Sequence, residues 1–194
     1  MVERMALNIV EQMERREIIE KIYCEYYTYV LITTVENIVT VSTMLLISLL
    51  FKQFMYTICF IFFFISLRRH TGGFHTNKFF QCYFGTIIIH IFILQFSYIL
   101  CKNFAIMYVL LFLATISIWI MGTINHPNMN MDKKELQESK KVARLLVLME
   151  VAVIIVLTFL QVGIMYIYNM SMAVILCALL MCVSKILKQE VSRK

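Results

Sequence analysis

The sequence predicts an all-α integral membrane protein of about six transmembrane helices, preceded by an amphipathic N-terminal helix. Three observations carry this. The 194 residues are 61% hydrophobic and only 15% charged, whereas a soluble domain is about half apolar and about a quarter charged. The apolar residues fall in six long runs, at 31–51, 53–67, 83–101, 104–124, 145–168 and 170–187. The basic residues fall between those runs, and almost all of them on alternate connections.

The elements follow in order. Residues 1–29 read as an amphipathic helix, because Val2, Met5, Ile9, Met13, Ile19, Tyr23 and Tyr27 recur with Glu and Arg between them. Such a helix can lie flat on a membrane surface, although its six Glu against four Lys+Arg weaken a purely lipid-binding role. The ten charges in this stretch, and the lack of a short apolar core after a basic start, argue against a cleaved signal peptide. A spanning helix needs about 20 apolar residues to cross a core of about 30 Å. Most of the six runs meet or approach this. The second, 53–67, has 15 residues, about 22 Å of helix, and is short for a span; the sixth is marginal. The chain is therefore read as one membrane domain, 1–194. It comprises the 1–29 helix and a six-span bundle over 31–187, with a polar loop at 68–82 and a basic loop at 125–144. In the latter, His126-Pro127-Asn128 marks a turn, and a short helix then leads into the fifth span.

Charge bias tests the count. With six spans, the N-terminus, the 68–82 loop, the 125–144 loop and the C-terminus share one side, and they hold four, three, five and four Lys+Arg. The other side holds only Lys52 and Lys102. Positive residues collect on the cytoplasmic side, so both termini and the 68–82 segment are expected there. The same distribution argues against nucleic acid as the partner of this chain, despite its net charge of +6.

Residues 68–82 read RRHTGGFHTNKFFQC. Arg68-Arg69 at the end of a span usually anchors topology, and Gly72-Gly73 usually makes a turn. Together with His75 and Cys82 they permit more. A cysteine nucleophile acts as the thiolate and needs a base within hydrogen-bond reach or a lowered pKa. His75 is the nearest base. On one straight helix, seven residues turn about 700° and rise about 10.5 Å, too far for proton transfer. The chain must bend between them, with Cys82 at the start of the third span and the His75 loop folded back over it. Exposed N–H groups at that helix start would favour a thiolate and an oxyanion. A zinc site from His70, His75 and Cys82 is the rival use of these residues. Their spacing matches no standard motif and no fourth ligand is near, so no metal or cofactor is expected. The other cysteines, mostly in or at the ends of apolar runs, read as packing residues.

Arg68-Arg69, Gly72-Gly73-Phe74-His75 and Cys82 resemble the central motif of the accessory gene regulator B (AgrB) family, bacterial membrane cysteine endopeptidases of peptide quorum sensing. The resemblance extends over most of the chain, from the amphipathic start to the basic loop with Pro127; Thr76 departs from the small residue expected after the histidine. It implies a multi-pass protein of the bacterial plasma membrane that cuts an AgrD-type precursor peptide. Cys82 would be the nucleophile and His75 the base. A Cys82 thioester would release the precursor's C-terminal tail and permit thiolactone or lactone ring closure. The family also implies a homodimer.

Further residues stand out. Arg68 and Arg69 are candidates to pair with carboxylates on the precursor tail, with Gly72 and Gly73 in support. Glu36, near the start of the first span, is a candidate orienting or substrate-binding residue, since an ionisable group in a membrane segment is functional by default. Glu150 has the same standing at lower weight, and His90 reads as a packed core residue. Two non-proteolytic readings compete: a transporter or peptide exporter with 68–82 as a basic gating loop, and a membrane adaptor. The first is disfavoured by the scarcity of intramembrane charge and of Gly/Pro-broken helices.

Overall fold

The computed structural model describes residues 2–74, 79–125 and 131–188. Among them are seven α-helices, one 3₁₀ turn and no strand. The helices are α1 (Val2–Arg15), α2 (Cys24–Leu50), α3 (Phe54–Thr71), α4 (Phe79–Leu100), α5 (Phe104–Met121), α6 (Lys133–Phe159) and α7 (Ile164–Ile186). Five contain stretches long and apolar enough to cross a membrane: Tyr26–Leu50, Phe80–Ser97, Phe104–Met121, Lys133–Phe159 and Ile164–Ile186. The short second run of the sequence is α3, whose last turn carries Arg68, Arg69 and His70. The all-α membrane fold expected from the sequence is therefore the fold observed.

The chain divides into two compact units, Met1–Leu46 and Ile47–Lys194. In the first, the amphipathic stretch is not the single helix expected over 1–29. α1 ends where Glu17 takes a left-handed φ of 55°. The Ile18 amide then donates to the Met13 carbonyl at 3.0 Å, closing the helix with the 6→1 bond of a Schellman turn. The chain re-forms a 3₁₀ turn at Lys21–Tyr23 before α2.

In the second unit, apolar periodicity sets the packing. The buried positions of α3 are Thr57, Phe60, Phe63, Leu67 and Thr71, three or four residues apart and so on one face. Met107, Leu111, Ala114 and Ile118 do the same for α5, and Ala143, Val147, Glu150 and Ile154 for α6. α7 is the most enclosed helix, with Tyr168, Val174, Cys177 and Met181 almost wholly buried. Its small buried residues, Ser171, Ala173, Ala178 and Ser184, let neighbours approach closely, which is how helices associate where lipid removes the hydrophobic drive between them. α3 packs most extensively on α7 and also on α6, while α5 lies on both α6 and α7.

Two sequence boundaries move. The fifth and sixth runs, expected at 145–168 and 170–187, are separated instead at residues 160–163, between Phe159 and Ile164. The turn closes on Gln161, at φ 54°, with Val162 donating to the Leu157 carbonyl at 3.1 Å. Lys52 makes the same left-handed closure after α2 at φ 56°. Glycine normally occupies such positions; here Lys52 and Gln161 take them instead. The basic loop keeps its expected helix, continuous with the fifth span from Lys133. Asp132 and Glu135 start it with a capping box, the Asp132 amide donating to Glu135 Oε2 at 2.9 Å.

α3 and α4 run antiparallel in a readable register. Gln53 Nε2 donates to the Leu94 carbonyl at 3.1 Å, and Ser97 Oγ donates to Gln53 Oε1 at 3.4 Å. Seven residues further along α3, the Phe60 ring lies 5.9 Å from that of His90, seven residues back along α4.

Candidate active site

The site begins where α3 ends. Gly72 terminates the helix at φ 65°, its amide donating to the Arg68 carbonyl at 3.2 Å. The end of α3 is pinned to the end of α5: the Ile124 amide donates to the Thr71 carbonyl at 2.9 Å, and Thr123 Oγ1 to the His70 carbonyl at 2.8 Å. Gly73 follows at φ 118°, a backbone conformation that costs a residue with a side chain about 1–3 kcal/mol. Next, the Phe74 amide donates to the Leu180 carbonyl of α7 at 3.0 Å. Thr71, Gly72 and Gly73 are all buried.

Arg68 organises this segment. Its Nη1 donates to the Gly72 carbonyl and its Nη2 to the Phe74 carbonyl, the latter at 2.5 Å. One rigid guanidinium thus bridges two carbonyls two residues apart, the forked geometry for which arginine is suited. The same group lies within electrostatic range of two thiols, Cys177 and Cys82. Cys82 is a free, half-buried thiol at the fourth residue of α4, in the turn whose N–H groups have no intrahelical acceptor. Arg68, at the end of α3, and Cys82, at the start of α4, are thus within electrostatic range of one another.

The remaining candidates divide. His75 lies outside the described residues; its chain neighbour Phe74 is held by Arg68 and Leu180. The expectation that Arg68 reaches for substrate carboxylates meets a half-buried guanidinium turned onto its own chain, whereas Arg69 is exposed. Glu36 belongs to the N-terminal unit, half-buried on α2, and its carbonyl accepts from Thr40 Oγ1 at 2.8 Å. His90 is buried against Phe60. Among the described residues no three His, Cys, Asp or Glu side chains gather as a metal site.

With this geometry in hand, the family comparison is decisive: the model of "Accessory gene regulator B" matches residues 2–185. The chain belongs to the AgrB family. Neither the curated proteins nor the solved structures give a match. AgrB proteins are known for processing the peptides of quorum sensing and work with an AgrD-type precursor.

Three parts of this AgrB site escaped the sequence reading. The Leu180 carbonyl, which receives Phe74, is an ordinary backbone group of an apolar helix. Cys177, fully buried with its Sγ donating to the Phe64 carbonyl at 3.8 Å, reads in sequence as one more small hydrophobe. Glu150 stands out in the sequence, but its partner does not: Ser66 Oγ bonds its Oε1 from α3, while Glu150 Oε2 is buried without a partner among the described residues. Each contact joins residues far apart in the chain, where no local signal exists.

Proposed function

We propose that this AgrB protein is a membrane-embedded cysteine endopeptidase that removes the C-terminal tail of an AgrD-type precursor and holds the remainder as a thioester for ring closure. One observation carries the reading. Arg68 grips the carbonyl of Phe74, the residue directly before His75, and lies within electrostatic range of Cys82 in the first turn of α4.

The chemistry follows. His75 takes the proton from the Cys82 thiol, and the sulfur attacks the scissile carbonyl. The resulting oxyanion is held by N–H groups at the start of α4. The C–N bond breaks, His75 returns its proton to the departing amine, and Cys82 is left as a thioester of the truncated precursor. A thiol or hydroxyl within the precursor loses its proton to His75 and attacks that thioester. It expels the Cys82 sulfur and closes a thiolactone or lactone. A thioester keeps the acyl group activated for this second step, provided water is excluded. The basic ends of the helices, sixteen Lys+Arg against two, support a site facing the cytoplasm with both termini on that side. The exposed Arg69 is the better placed of the two arginines to meet a carboxylate of the tail.

The test is co-expression with the precursor. Cys82→Ala and His75→Ala should abolish tail release, and a thioester-linked adduct on Cys82 should be captured from the parent. Full processing by Cys82→Ala would refute the proposal and favour an exporter.

A further inference from the structure

The motif names two reacting residues, but a third side chain, that of Arg68, holds the backbone of the segment between them. We propose that Arg68 is the positioning residue of this site: by taking the carbonyls of Gly72 and Phe74, it fixes the segment that leads into His75 against α7 and so brings His75 to Cys82. This rests on the protease reading above and specifies how its two halves are brought to one place.

Three peptide groups leave α3 between Gly72 and Phe74. The Gly72 and Phe74 carbonyls go to Arg68, and the Phe74 amide goes to Leu180. These bonds attach the segment to two rigid bodies at once, since Arg68 projects from α3 and Leu180 sits inside α7. A buried backbone carbonyl needs a donor; the Gly72 carbonyl also accepts from Thr71 Oγ1 at a long 3.4 Å, and the Phe74 carbonyl takes its hydrogen bond from Arg68. The peptide bonds are trans, so each planar unit has its N–H opposite its C=O. With the Gly72 carbonyl turned onto Arg68, the Gly73 N–H faces away from the guanidinium. Arg68 thereby sets the orientation of the backbone as well as its position. Gly73 has room for this only because it lacks a side chain: a Cβ there would overlap Nη1 and lie 3.3 Å from the Leu180 carbonyl carbon.

Lysine cannot reproduce the arrangement. Its ammonium is a single point and cannot present two parallel donors in a fixed plane. A positioning role therefore separates from a charge role, and Arg68→Lys is the informative substitution.

The test reads proximity without requiring catalysis. His75→Cys is introduced into the full chain in detergent. Diamide then oxidises the new thiol and Cys82 to a disulfide, its N=N bond taking up the two electrons and two protons. Mass spectrometry follows the cross-linked peptide. The pair should cross-link readily with Arg68 present, and Arg68→Gln and Arg68→Lys should each slow it by about tenfold or more, as expected when orientation is lost. Arg69→Gln, removing the exposed neighbour, should not change it. In the catalytic chain with His75 intact, Arg68→Lys should lower kcat for precursor cleavage by about tenfold or more, with KM held within about threefold. Equal cross-linking in Arg68→Gln, Arg68→Lys and their parent would overturn the proposal. So would a parent that does not cross-link, an outcome that needs no Arg68 variant to fold. A failed protease reading would look different: rapid Arg68-dependent cross-linking with no precursor cleavage.

Discussion

Replacing Gly73 by alanine places a methyl group where the guanidinium of Arg68 already lies, with Arg68 Cζ and the Leu180 carbonyl carbon each 3.3 Å from the new Cβ. The Leu180 contact is to helix backbone, which cannot move aside, so Arg68 must. Displacing Nη1 forfeits its hydrogen bond to the Gly72 carbonyl, a charge-assisted bond of about 1.5–3 kcal/mol. Holding alanine at φ 118° adds about 1–3 kcal/mol. The combined penalty, about 2.5–6 kcal/mol, falls on a short segment joined to the bundle by few bonds. The expected result is local: the segment detaches while the helices stay packed. Unfolding in detergent, followed by size-exclusion recovery after heating, should show a modest loss. Precursor cleavage, followed by mass spectrometry, should fall by about 100-fold or more, since about 2.7 kcal/mol at the transition state suffices for that. Gly85→Ala is the control. It lies in α4 three residues after Cys82, and its Cβ would meet nothing within 4 Å. Cleavage by Gly73→Ala within threefold of the parent would refute the reasoning.

Other substitutions probe separate contacts by the same heating assay. Asn125 spans the basic loop, its Nδ2 donating to the Met131 carbonyl at 3.2 Å and its Oδ1 accepting from the Met131 amide at 3.1 Å; Asn125→Ala should cost about 1–3 kcal/mol, and an unchanged midpoint would discount the staple. Ser66→Ala leaves the buried Glu150 carboxyl without its hydrogen bond and should destabilise by about 1–3 kcal/mol, while adding Glu150→Leu should recover part of the loss; a double variant worse than the single one would contradict this. Gln161→Gly relieves a left-handed residue at φ 54° and should stabilise by about 0.5–1 kcal/mol; a lower midpoint would show that the glutamine side chain contributes there.

How much was legible differs from residue to residue. The α3 end and the start of α4 were readable because a polar interruption in an apolar chain is a local signal, and Cys82 fell in the first turn of its helix as the bend argument required. The break between α6 and α7 was not. The left-handed closure falls on Gln161 rather than on a glycine, and the one glycine of the turn, Gly163, stands two residues later at the start of α7. Arg68 was legible as a candidate but not in its role. A sequence shows the type of a side chain, not whether it turns outward toward a partner or inward onto its own backbone.

The sequence by itself determined the membrane class, the helical content and the segment that holds the chemistry. Lipid accepts only backbones whose polar groups are satisfied within the segment, so composition and run length suffice for that level. The tertiary structure alone decided what Arg68 does. Its hold on the Gly72 and Phe74 carbonyls and its electrostatic reach to Cys82 exist only when the end of α3 and the start of α4 come together. The anchoring of Phe74 depends on a carbonyl of α7, more than a hundred residues further along the chain. Bonds between distant residues exist only once the helices have packed, and the geometry of that packing is not written in any local stretch of the chain.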